Sequence, residues 1–319
     1  MGERYYIGAD IGGTTVKLAF ILDSGQIIKK WEIPTNTDEK GKAIPEDIAS
    51  AIEEQLKALN IDKASVEGIG AGAPGFVDTA TGYIHEAVNI GWKDFDFGRH
   101  LSERTGLRVW VDNDANLAAL GENWLGAGQG CRELIAVTLG TGVGGGIISN
   151  GLVINGANGT AAELGHVTVI PDGGVLCNCG RTGCLETVAS ATGIVREAKK
   201  KAEEYPDSML HRAIDAGELT SKTVFEAVEA GDEAAKQVLL KITDVLGMAI
   251  SNMAIVTNPE KIVIGGGVSK AGSLLLEPLQ AAFRKYALNR TVEASSFGIA
   301  ELGNDAGVIG GAYLVKKNK

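Results

Sequence analysis

Apolar residues occur along this chain in two repeating patterns, which predict a mixture of strands and helices. Short apolar or alternating runs, such as residues 5–7 and 16–21, predict strands. Residues 45–59 place apolar side chains at helical spacing behind Pro45, which predicts an amphipathic helix. Residues 233–256 predict a longer helix, which Asn258-Pro259 would end. The fold class predicted from these patterns is α/β.

Three of the predicted strands run directly into glycine-rich turns. These turns are Gly12-Gly13-Thr14-Thr15, the run 140–146 beginning Gly140-Thr141-Gly142, and Gly265-Gly266-Gly267. The second turn contains G-x-G-x-x-G, but a dinucleotide-binding site needs a helix directly after the glycines, and a strand follows here. The first turn lacks the Gly-Lys-Ser/Thr of a P-loop. The first two turns are therefore predicted to be strand-to-strand connections. All three glycine-rich strand ends together suggest a nucleotide held by backbone groups, with one of them reserved for its base or ribose.

The first two of these turns resemble each other. Ile7-x-x-Asp10-x-Gly12 aligns with Ile135-x-x-Thr138-x-Gly140, and a strand, a turn and a further strand follow each. This weak repeat predicts two similarly built domains, each presenting one hairpin turn to a shared cleft.

Length, charge and composition narrow the possible classes of protein. A chain of 319 residues is long enough for two domains. A formal charge of −10 argues against nucleic acid or an anionic membrane as the main partner. The N-terminus lacks the pattern of a signal peptide, and the longest apolar run, 245–256, is shorter than the roughly 20 residues of a membrane span. These features predict a soluble, cytoplasmic protein.

A cluster of polar residues separates a predicted strand, 107–111, from a predicted helix, 115–125. The cluster is Asp112-Asn113-Asp114. One Asp or Asn at this position would cap the helix, but capping explains only one of the three. A surplus carboxylate at a strand-to-helix turn is a candidate functional group.

Two other stretches have weaker patterns. Residues 79–92 predict a loop with a short strand, ending in an exposed polar and aromatic cluster, Asn89-Ile90-Gly91-Trp92. Residues 187–204 predict one continuous helix.

Residues 163–186 contain three of the four cysteines and one of the four histidines. His166, Cys177, Cys179 and Cys184 combine three thiols with an imidazole, which suits a tetrahedral Zn²⁺ site. The alternative is a disulfide with one spare thiol. A thiol cluster in a chain without an export signal favours the metal.

These motifs together carry a resemblance to a known family. The segment from Asp10 to Lys17, Asp-Ile-Gly-Gly-Thr-Thr-Val-Lys, resembles the first phosphate motif of the sugar-kinase, actin and heat-shock ATPase superfamily. Glu163-Leu-Gly-His166 and Cys177-x-Cys-Gly-x-x-Gly-Cys184-x-Glu186 are similar to the signature of its ROK branch (repressors, open reading frames and sugar kinases), as is Asp112-Asn-Asp-Ala-Asn. The resemblance covers the whole chain.

The resemblance implies a two-domain actin-like ATPase fold with a nucleotide and sugar cleft between the domains. Residues 1–115 plus 303–319 would form the smaller α/β domain, and residues 116–302 the larger one with the zinc motif. The implied activity is ATP-dependent phosphorylation of glucose at its 6-hydroxyl, which gives glucose 6-phosphate and ADP. ATP with Mg²⁺ and a structural Zn²⁺ are the implied cofactors.

The resemblance also implies roles for individual residues. Asp114 would be the general base, with a carboxylate accepting the proton of the sugar hydroxyl late in a loose phosphoryl transfer. The implied sugar contacts are Gly75, Asn89, Asn113, Asp114, Glu163, His166 and Glu186. Asp10 would hold Mg²⁺, and the implied nucleotide contacts are Gly12, Gly13, Thr14, Thr15, Lys17, Thr141, Gly142, Gly265, Gly266 and Gly267. His166, Cys177, Cys179 and Cys184 would hold the zinc, which would fix the ring orientation of His166.

Several alternatives stay open at this stage. The hexose could be mannose, fructose or an N-acetyl amino sugar, and the donor could be polyphosphate in place of ATP. A non-catalytic sugar sensor is a second possibility. A repressor of this family carries a DNA-binding domain ahead of the first phosphate motif. Only nine residues precede Asp10 here, and the net charge of the whole sequence is −10, so both features argue against that role. A homodimer or homotetramer is expected, without nucleic acid or membrane partners.

Overall fold

A computed structural model of the chain describes residues 3–319. Its strands are β1 (Tyr5–Ile11), β2 (Thr15–Leu22), β3 (Ile27–Pro34), β4 (Val66–Ala73), β5 (Phe76–Asp78), β6 (Tyr83–Ala87), β7 (Trp92–Phe95), β8 (Val109–Asn113), β9 (Leu134–Leu139), β10 (Val143–Ser149), β11 (Leu152–Val153), β12 (Lys261–Gly265) and β13 (Ser296–Ile299). Its helices are α1 (Ile44–Ala58), α2 (Phe97–Thr105), α3 (Asp114–Leu125), α4 (Glu186–Ala189), α5 (Ala191–Glu204), α6 (Met209–Asp215), α7 (Ser221–Glu229), α8 (Glu233–Thr257), α9 (Ser273–Tyr286), α10 (Asn289–Ala294) and α11 (Ala306–Asn318).

Two five-stranded sheets with the same topology form the framework. The first has the order β3-β2-β1-β4-β8 and the second has the order β11-β10-β9-β12-β13. In each, the central strand pairs antiparallel with the next strand of its hairpin and parallel with a later strand. The α/β class is confirmed, and so is the prediction that the two glycine turns belong to similarly built halves.

Each sheet has its own hydrophobic core, and the last helix returns to the first sheet. Helices α1 and α2 cover one face of the first sheet, whereas α5 to α9 pack with the second. On the other face of the first sheet, Tyr6 and Ile21 pack against Val308 and Val315 of α11. This packing supports grouping residues 303–319 with 1–115, although these domain boundaries, and 116–302 for the larger domain, stay a prediction.

Helix α3 joins the two halves and crosses α11 closely. A Cβ on Gly121 would lie 2.2 Å from the Ala306 carbonyl oxygen, and one on Gly310 would lie 1.8 Å from that of Leu117. Side chains at either position would force the two helices apart. This close crossing fixes α3, whose first residue is Asp114, between the sheets.

The second glycine run is largely strand and not turn. Only residues 140–142 form the connection between β9 and β10, while Gly144 to Gly146 belong to β10. A Cβ on Gly145 would lie 2.4 Å from the Leu164 side chain, and one on Gly146 would lie 2.6 Å from Ala119 of α3. These glycines therefore serve close packing, so the predicted seven-residue loop is wrong in extent.

Residues 76–95 contain a three-stranded sheet, β5-β6-β7, where the sequence predicts a loop with one short strand. The cluster at 89–92 is exposed only in part, because Ile90 and Trp92 are each 2% exposed. The indole N–H of Trp92 donates to the Gly41 carbonyl, and its ring stacks on Phe95. Asn89 and Gly91 are the two exposed residues of the cluster.

The predicted helix 187–204 is two helices, α4 and α5, which Ser190 separates. Ser190 has extended backbone angles, and its side chain accepts a hydrogen bond from the Gly193 N–H. It is therefore the N-cap of α5, and the chain changes direction there.

Helix α8 is the one helix in residues 3–319 that is long and apolar enough to cross a membrane, with 25 residues and a mean hydropathy of 1.5. Its apolar residues, including Val238, Ile242, Leu246 and Ile250, belong to the core of the second half. Its hydrophobicity is thus explained by burial inside the protein.

Candidate active site and metal centre

A cavity of about 900 Å³ lies where strand ends of both sheets meet. It is lined by all seven residues for which the sequence predicts sugar-binding or catalytic roles, and by four with predicted nucleotide or metal roles. From the first half these are Asp10, Lys17, Gly75, Asn89, Asn113 and Asp114, and from the second they are Gly142, Glu163, His166, Cys179 and Glu186. The structure therefore brings together side chains that are up to 176 residues apart, from Asp10 to Glu186.

Other predicted residues do not line this cavity. They are Gly12, Gly13, Thr14, Thr15, Thr141, Cys177, Cys184, Gly265, Gly266 and Gly267. Gly13 lies beside Asn89, and Gly265 lies close to Thr138, so the first and the third glycine turn adjoin the cavity wall. Their nucleotide-binding roles stay predictions.

Further residues line the cavity that were not predicted from the sequence, among them Phe76, Val88, Thr138, Asn178, Gly303 and Asn304. For Gly303 and Asn304 the sequence contains a signal that could have been used. Gly303-Asn-Asp-Ala-Gly307 is a run of small and polar residues directly before the final helix, and such a run could bring backbone close to a ligand. Thr138 could also have been found, because it aligns with Asp10 in the repeat.

The three polar residues at positions 112–114 have three different roles in the structure. Asn113 is the N-cap of α3, and its side-chain oxygen accepts hydrogen bonds from the Ala115 and Asn116 N–H groups. Its amide nitrogen donates to the Gly75 carbonyl at 3.2 Å. Asp112 is buried, which leaves the Asp114 carboxylate as the surplus group that faces the cavity.

The environment of Asp114 raises its pKa from an ordinary 3.8 to about 6. Burial is the main cause; the Ala115 N–H opposes the rise, and the carboxylates of Asp10 and Glu163 add to it. A carboxyl group with this pKa is ionised at neutral pH and is a stronger base than an exposed aspartate. These are the properties of a group that accepts a proton from an alcohol.

Asp10 occupies the end of β1 at the same cavity. Burial raises the pKa of its carboxyl group, although Lys17 opposes the rise with an Nζ that lies 3.5 Å from Asp10 Oδ2. A Cβ on Gly307 would lie 2.7 Å from Asp10 Cγ, so the first turn of α11 packs directly on the carboxylate. An oxygen donor in this position is of the type that Mg²⁺ prefers.

Two glutamates of the second half face the cavity opposite Asp10. Burial raises the pKa of Glu163, while His166 opposes the rise. Glu186 Oε2 accepts a hydrogen bond from the Val143 N–H at 3.0 Å. A Cβ on Gly142 would lie 2.2 Å from that same oxygen, so a side chain there would displace the Glu186 carboxylate. The Cys177 thiol lies 3.7 Å from Glu186 Oε1, so Glu186 joins the β9–β10 turn to the cysteine cluster.

The four predicted metal ligands lie together. One ligand atom from each of His166, Cys177, Cys179 and Cys184 lies within 4.8 Å of all the others. His166 Nδ1 is 3.6 Å from Cys177 Sγ, and the Cys179 and Cys184 Sγ atoms are 3.6 Å apart. A tetrahedron with Zn–S bonds of about 2.3 Å has S–S edges of about 3.8 Å, so the spacing fits zinc and no disulfide is formed.

The chemistry of the thiols also suits a bound cation. A hydrogen bond from the Arg181 N–H lowers the pKa of Cys179 to about 6, whereas burial raises that of Cys177 to about 12. Three adjacent thiolates need a metal to coexist. Because His166 presents Nδ1 to the thiols and lines the cavity, Nε2 is the ring nitrogen left for a ligand there.

Comparison with known proteins places the chain among sugar kinases and their relatives. The ROK family model matches residues 6–318, and the chain belongs to the ROK family. Its similarity to individual proteins extends over nearly the full length of both chains. A glucokinase of Halalkalibacterium halodurans is 54% identical over 320 residues, which cover 100% of this chain and 97% of that protein.

Two further relatives agree with this placement. A glucokinase of Thermotoga maritima is 37% identical, with 99% of each chain covered. The crystal structure of a ROK family glucokinase from Streptomyces griseus, in complex with glucose and AMPPNP, is 35% identical, with a TM-score of 0.77 and coverage of 98% of this chain and 99% of that one. The actin-like ATPase fold predicted from the motifs is confirmed.

Proposed function

We propose that this protein is an ATP-dependent glucokinase, which transfers the γ-phosphoryl group of ATP to the 6-hydroxyl of glucose. The observation that carries the proposal is the position of the Asp114 carboxylate. It lies in one cavity with Asp10 of the first half and with Glu163, His166 and Glu186 of the second. The glucokinase relatives that cover the whole chain support the same activity.

In this proposal Asp114 is the general base. The transferred group passes through a loose transition state, so the sugar hydroxyl gives up its proton late and a well-placed carboxylate is a sufficient acceptor. The pKa of about 6 keeps Asp114 ionised at neutral pH and lets it take the proton as the oxygen–phosphorus bond forms. The position at the start of α3 holds the carboxylate on a rigid element.

Asp10 and the glycine turns serve the nucleotide. Asp10 would hold Mg²⁺, which neutralises phosphate charge when ATP is bound. Lys17, 3.5 Å from Asp10 Oδ2, adds a positive charge at the same edge of the cavity. Gly12, Gly13, Thr14, Thr15, Thr141 and Gly142 would surround the phosphates, and Gly265 to Gly267 would lie against the base or ribose.

Residues of both halves would hold the sugar, and the second half supplies the glutamates and the histidine. Glu163, His166 through Nε2, and Glu186 would bind hydroxyl groups, with Gly75, Asn89 and Asn113 completing the pocket. A site that pairs several hydroxyls rejects analogues lacking one of them, because buried polar groups would then be left without partners. The zinc, held by His166, Cys177, Cys179 and Cys184, is structural because all four of its positions are filled by protein.

The same proposal includes a cellular location, an oligomeric state and a set of partners. The protein would work in the cytoplasm as a homodimer or homotetramer, without nucleic acid or membrane partners.

A panel of hexoses tested against ATP and polyphosphate, with ADP release or sugar phosphate as the readout, tests the proposal. We expect glucose with ATP to give the highest kcat/KM and the 6-phosphate as product. Higher kcat/KM for mannose, fructose or an N-acetyl amino sugar would replace glucose as the substrate. Absence of turnover with every hexose and either donor would contradict a kinase.

A further inference from the structure

Asp112 is a buried carboxylate that the proposed chemistry does not use. It is 3% exposed, although it lies only two residues before Asp114. All of its hydrogen-bond partners are amide groups: Oδ1 accepts from the Asn113 N–H at 2.7 Å and from Asn116 Nδ2 at 2.9 Å. Asn155 Nδ2 lies 2.9 Å from Oδ1 and 3.0 Å from Oδ2. A carboxylate is an expensive group to bury for capping alone, because Asn113 already caps α3.

Asn155 comes from the other half of the protein. It lies two residues after β11 of the second sheet, in a segment that we call the crossing loop, residues 154–162. The Ala161 N–H donates to the Asn155 carbonyl and closes this loop on itself. The hydrogen bonds between Asn155 and Asp112 therefore connect the second half to the end of β8 in the first.

The crossing loop also contacts the first half through its backbone. A Cβ on Gly159 would lie 2.3 Å from the Val77 carbonyl oxygen of β5, so the loop lies directly on the small three-stranded sheet. The loop ends at Ala162, whose φ of +62° is costly for a residue with a side chain. Glu163 follows immediately, and it lines the cavity with Asp114.

We infer that Asp112 and Asn155 form a latch between the two halves, which sets the distance between the sugar-binding Glu163 and the base Asp114. Asp112 and Asn155 are positioning residues, because they touch neither the cavity nor any residue proposed to react. The latch holds one end of the crossing loop at the strand end that carries Asp114. Ala162, whose backbone is strained, leads directly into Glu163. A loop held in place at Asn155 therefore also fixes the position of Glu163.

The inference rests on the proposed function, and an exchange of the two side chains tests it. Asn155→Asp places a second carboxylate against Asp112, so the two charges repel and the latch opens. We expect the Kd for glucose, measured by calorimetry, to rise at least about tenfold. Adding Asp112→Asn should restore affinity, because the amide introduced there would keep an oxygen for Asn113 and Asn116 and turn an N–H donor toward the new carboxylate of the loop.

Asn158→Asp is the matched control. It adds the same charge to the same loop, but Asn158 is exposed, and its side-chain oxygen already accepts a hydrogen bond from Thr160, a role that aspartate keeps. Its glucose Kd should stay near the wild-type value. The KM for ATP should change little in all of these variants, whereas loss of folded protein would lower the active fraction without changing either constant.

The outcomes separate the latch from the proposed function. If the wild-type protein neither binds nor phosphorylates glucose, the proposed function fails. If it does both, an unchanged Kd in Asn155→Asp, or no recovery in the double variant, overturns the latch alone. Should thermal denaturation show that Asn155→Asp does not fold, Asn155→Ala removes the donor without adding charge and should raise the glucose Kd by a smaller factor, about threefold to tenfold. No change in that variant would overturn the latch.

Discussion

The two five-stranded sheets share one strand order, yet they bring different groups to the cavity. The aligned positions in the two hairpins are Asp10 at the end of β1 and Thr138 at the end of β9. The first half contributes the charged groups Asp10 and Lys17 and carries the end of β8 at which Asp114 begins α3. The second contributes two glutamates, Glu163 and Glu186, and His166 of the His/Cys cluster that can hold zinc.

This difference indicates a division of labour within a duplicated framework. The repeated topology places one glycine turn of each half next to the cleft, and the side chains around each turn decide its task. In the proposed function the first half carries the base and the carboxylate that would hold Mg²⁺. The second half carries the glutamates and the histidine that would bind sugar hydroxyls, and glycine turns of both halves surround the nucleotide. Each substitution below changes one residue and should leave the tasks assigned to residues of the other half intact.

The largest effect is expected for Asp114→Asn. The substitution removes the proton acceptor and keeps the shape, so kcat should fall about 10³-fold while glucose binding stays close to wild-type. Steady-state kinetics and calorimetry on the same preparation measure both. The control is Glu53→Gln on the exposed face of α1, which removes the same charge far from the cavity. A kcat for Asp114→Asn near the wild-type value would exclude the general-base role.

Asp10→Asn should have the next largest effect. Losing this carboxylate should lower kcat about 10²-fold and raise the Mg²⁺ concentration needed for half-maximal rate, since it would weaken the hold on the metal nucleotide. The measurement is the rate as a function of Mg²⁺ at fixed ATP. Glucose affinity without nucleotide should not change; an unchanged Mg²⁺ requirement would remove Asp10 from the metal site.

Cys179→Ser tests the second half. Losing one of four ligands should release the zinc and free the His166 ring, so the glucose Kd should rise about 10- to 100-fold. Metal analysis and calorimetry measure the two quantities together. Cys131→Ser is the matched control, because Cys131 lies outside the cluster. This variant should retain both its zinc and its affinity for glucose. Loss of zinc with unchanged glucose binding would show that the metal does not support His166.

The smallest effect is expected from pH. Because burial raises the Asp114 pKa to about 6, the base is ionised above that pH and protonated below it. We therefore expect kcat/KM for glucose to be level above pH 7 and to fall towards a tenfold loss per unit below pH 6. Circular dichroism at each pH separates this loss from unfolding. A profile without an inflection near pH 6 would contradict the desolvated environment of Asp114.

Much of this arrangement could be predicted from local sequence. The hairpin repeat around Asp10 and Thr138 indicates two like halves, because the same strand and turn signals recur. The surplus carboxylate at 112–114 could be inferred because one cap needs only one residue. The four zinc ligands could be named because soft ligands at close spacing have few other uses.

The features that could not be predicted depend on contacts between distant segments. Gly144 to Gly146 have the pattern of a loop, and only the packing of Gly146 against Ala119 of α3 shows why a strand needs glycine there. The buried indole N–H of Trp92 donates to the carbonyl of Gly41, which is 51 residues away in the sequence, and no local pattern indicates that contact. Asp112 could not be distinguished from Asp114, since its partner Asn155 lies in another half of the chain.

The division of labour is tested most directly by glucose titration calorimetry on Asp114→Asn and Cys179→Ser side by side. The account predicts near wild-type glucose affinity for Asp114→Asn and a Kd raised at least about tenfold for Cys179→Ser. Weak binding by Asp114→Asn together with full affinity in zinc-free Cys179→Ser would contradict it. That result would place sugar binding in the first half and leave the metal cluster without the task proposed for it.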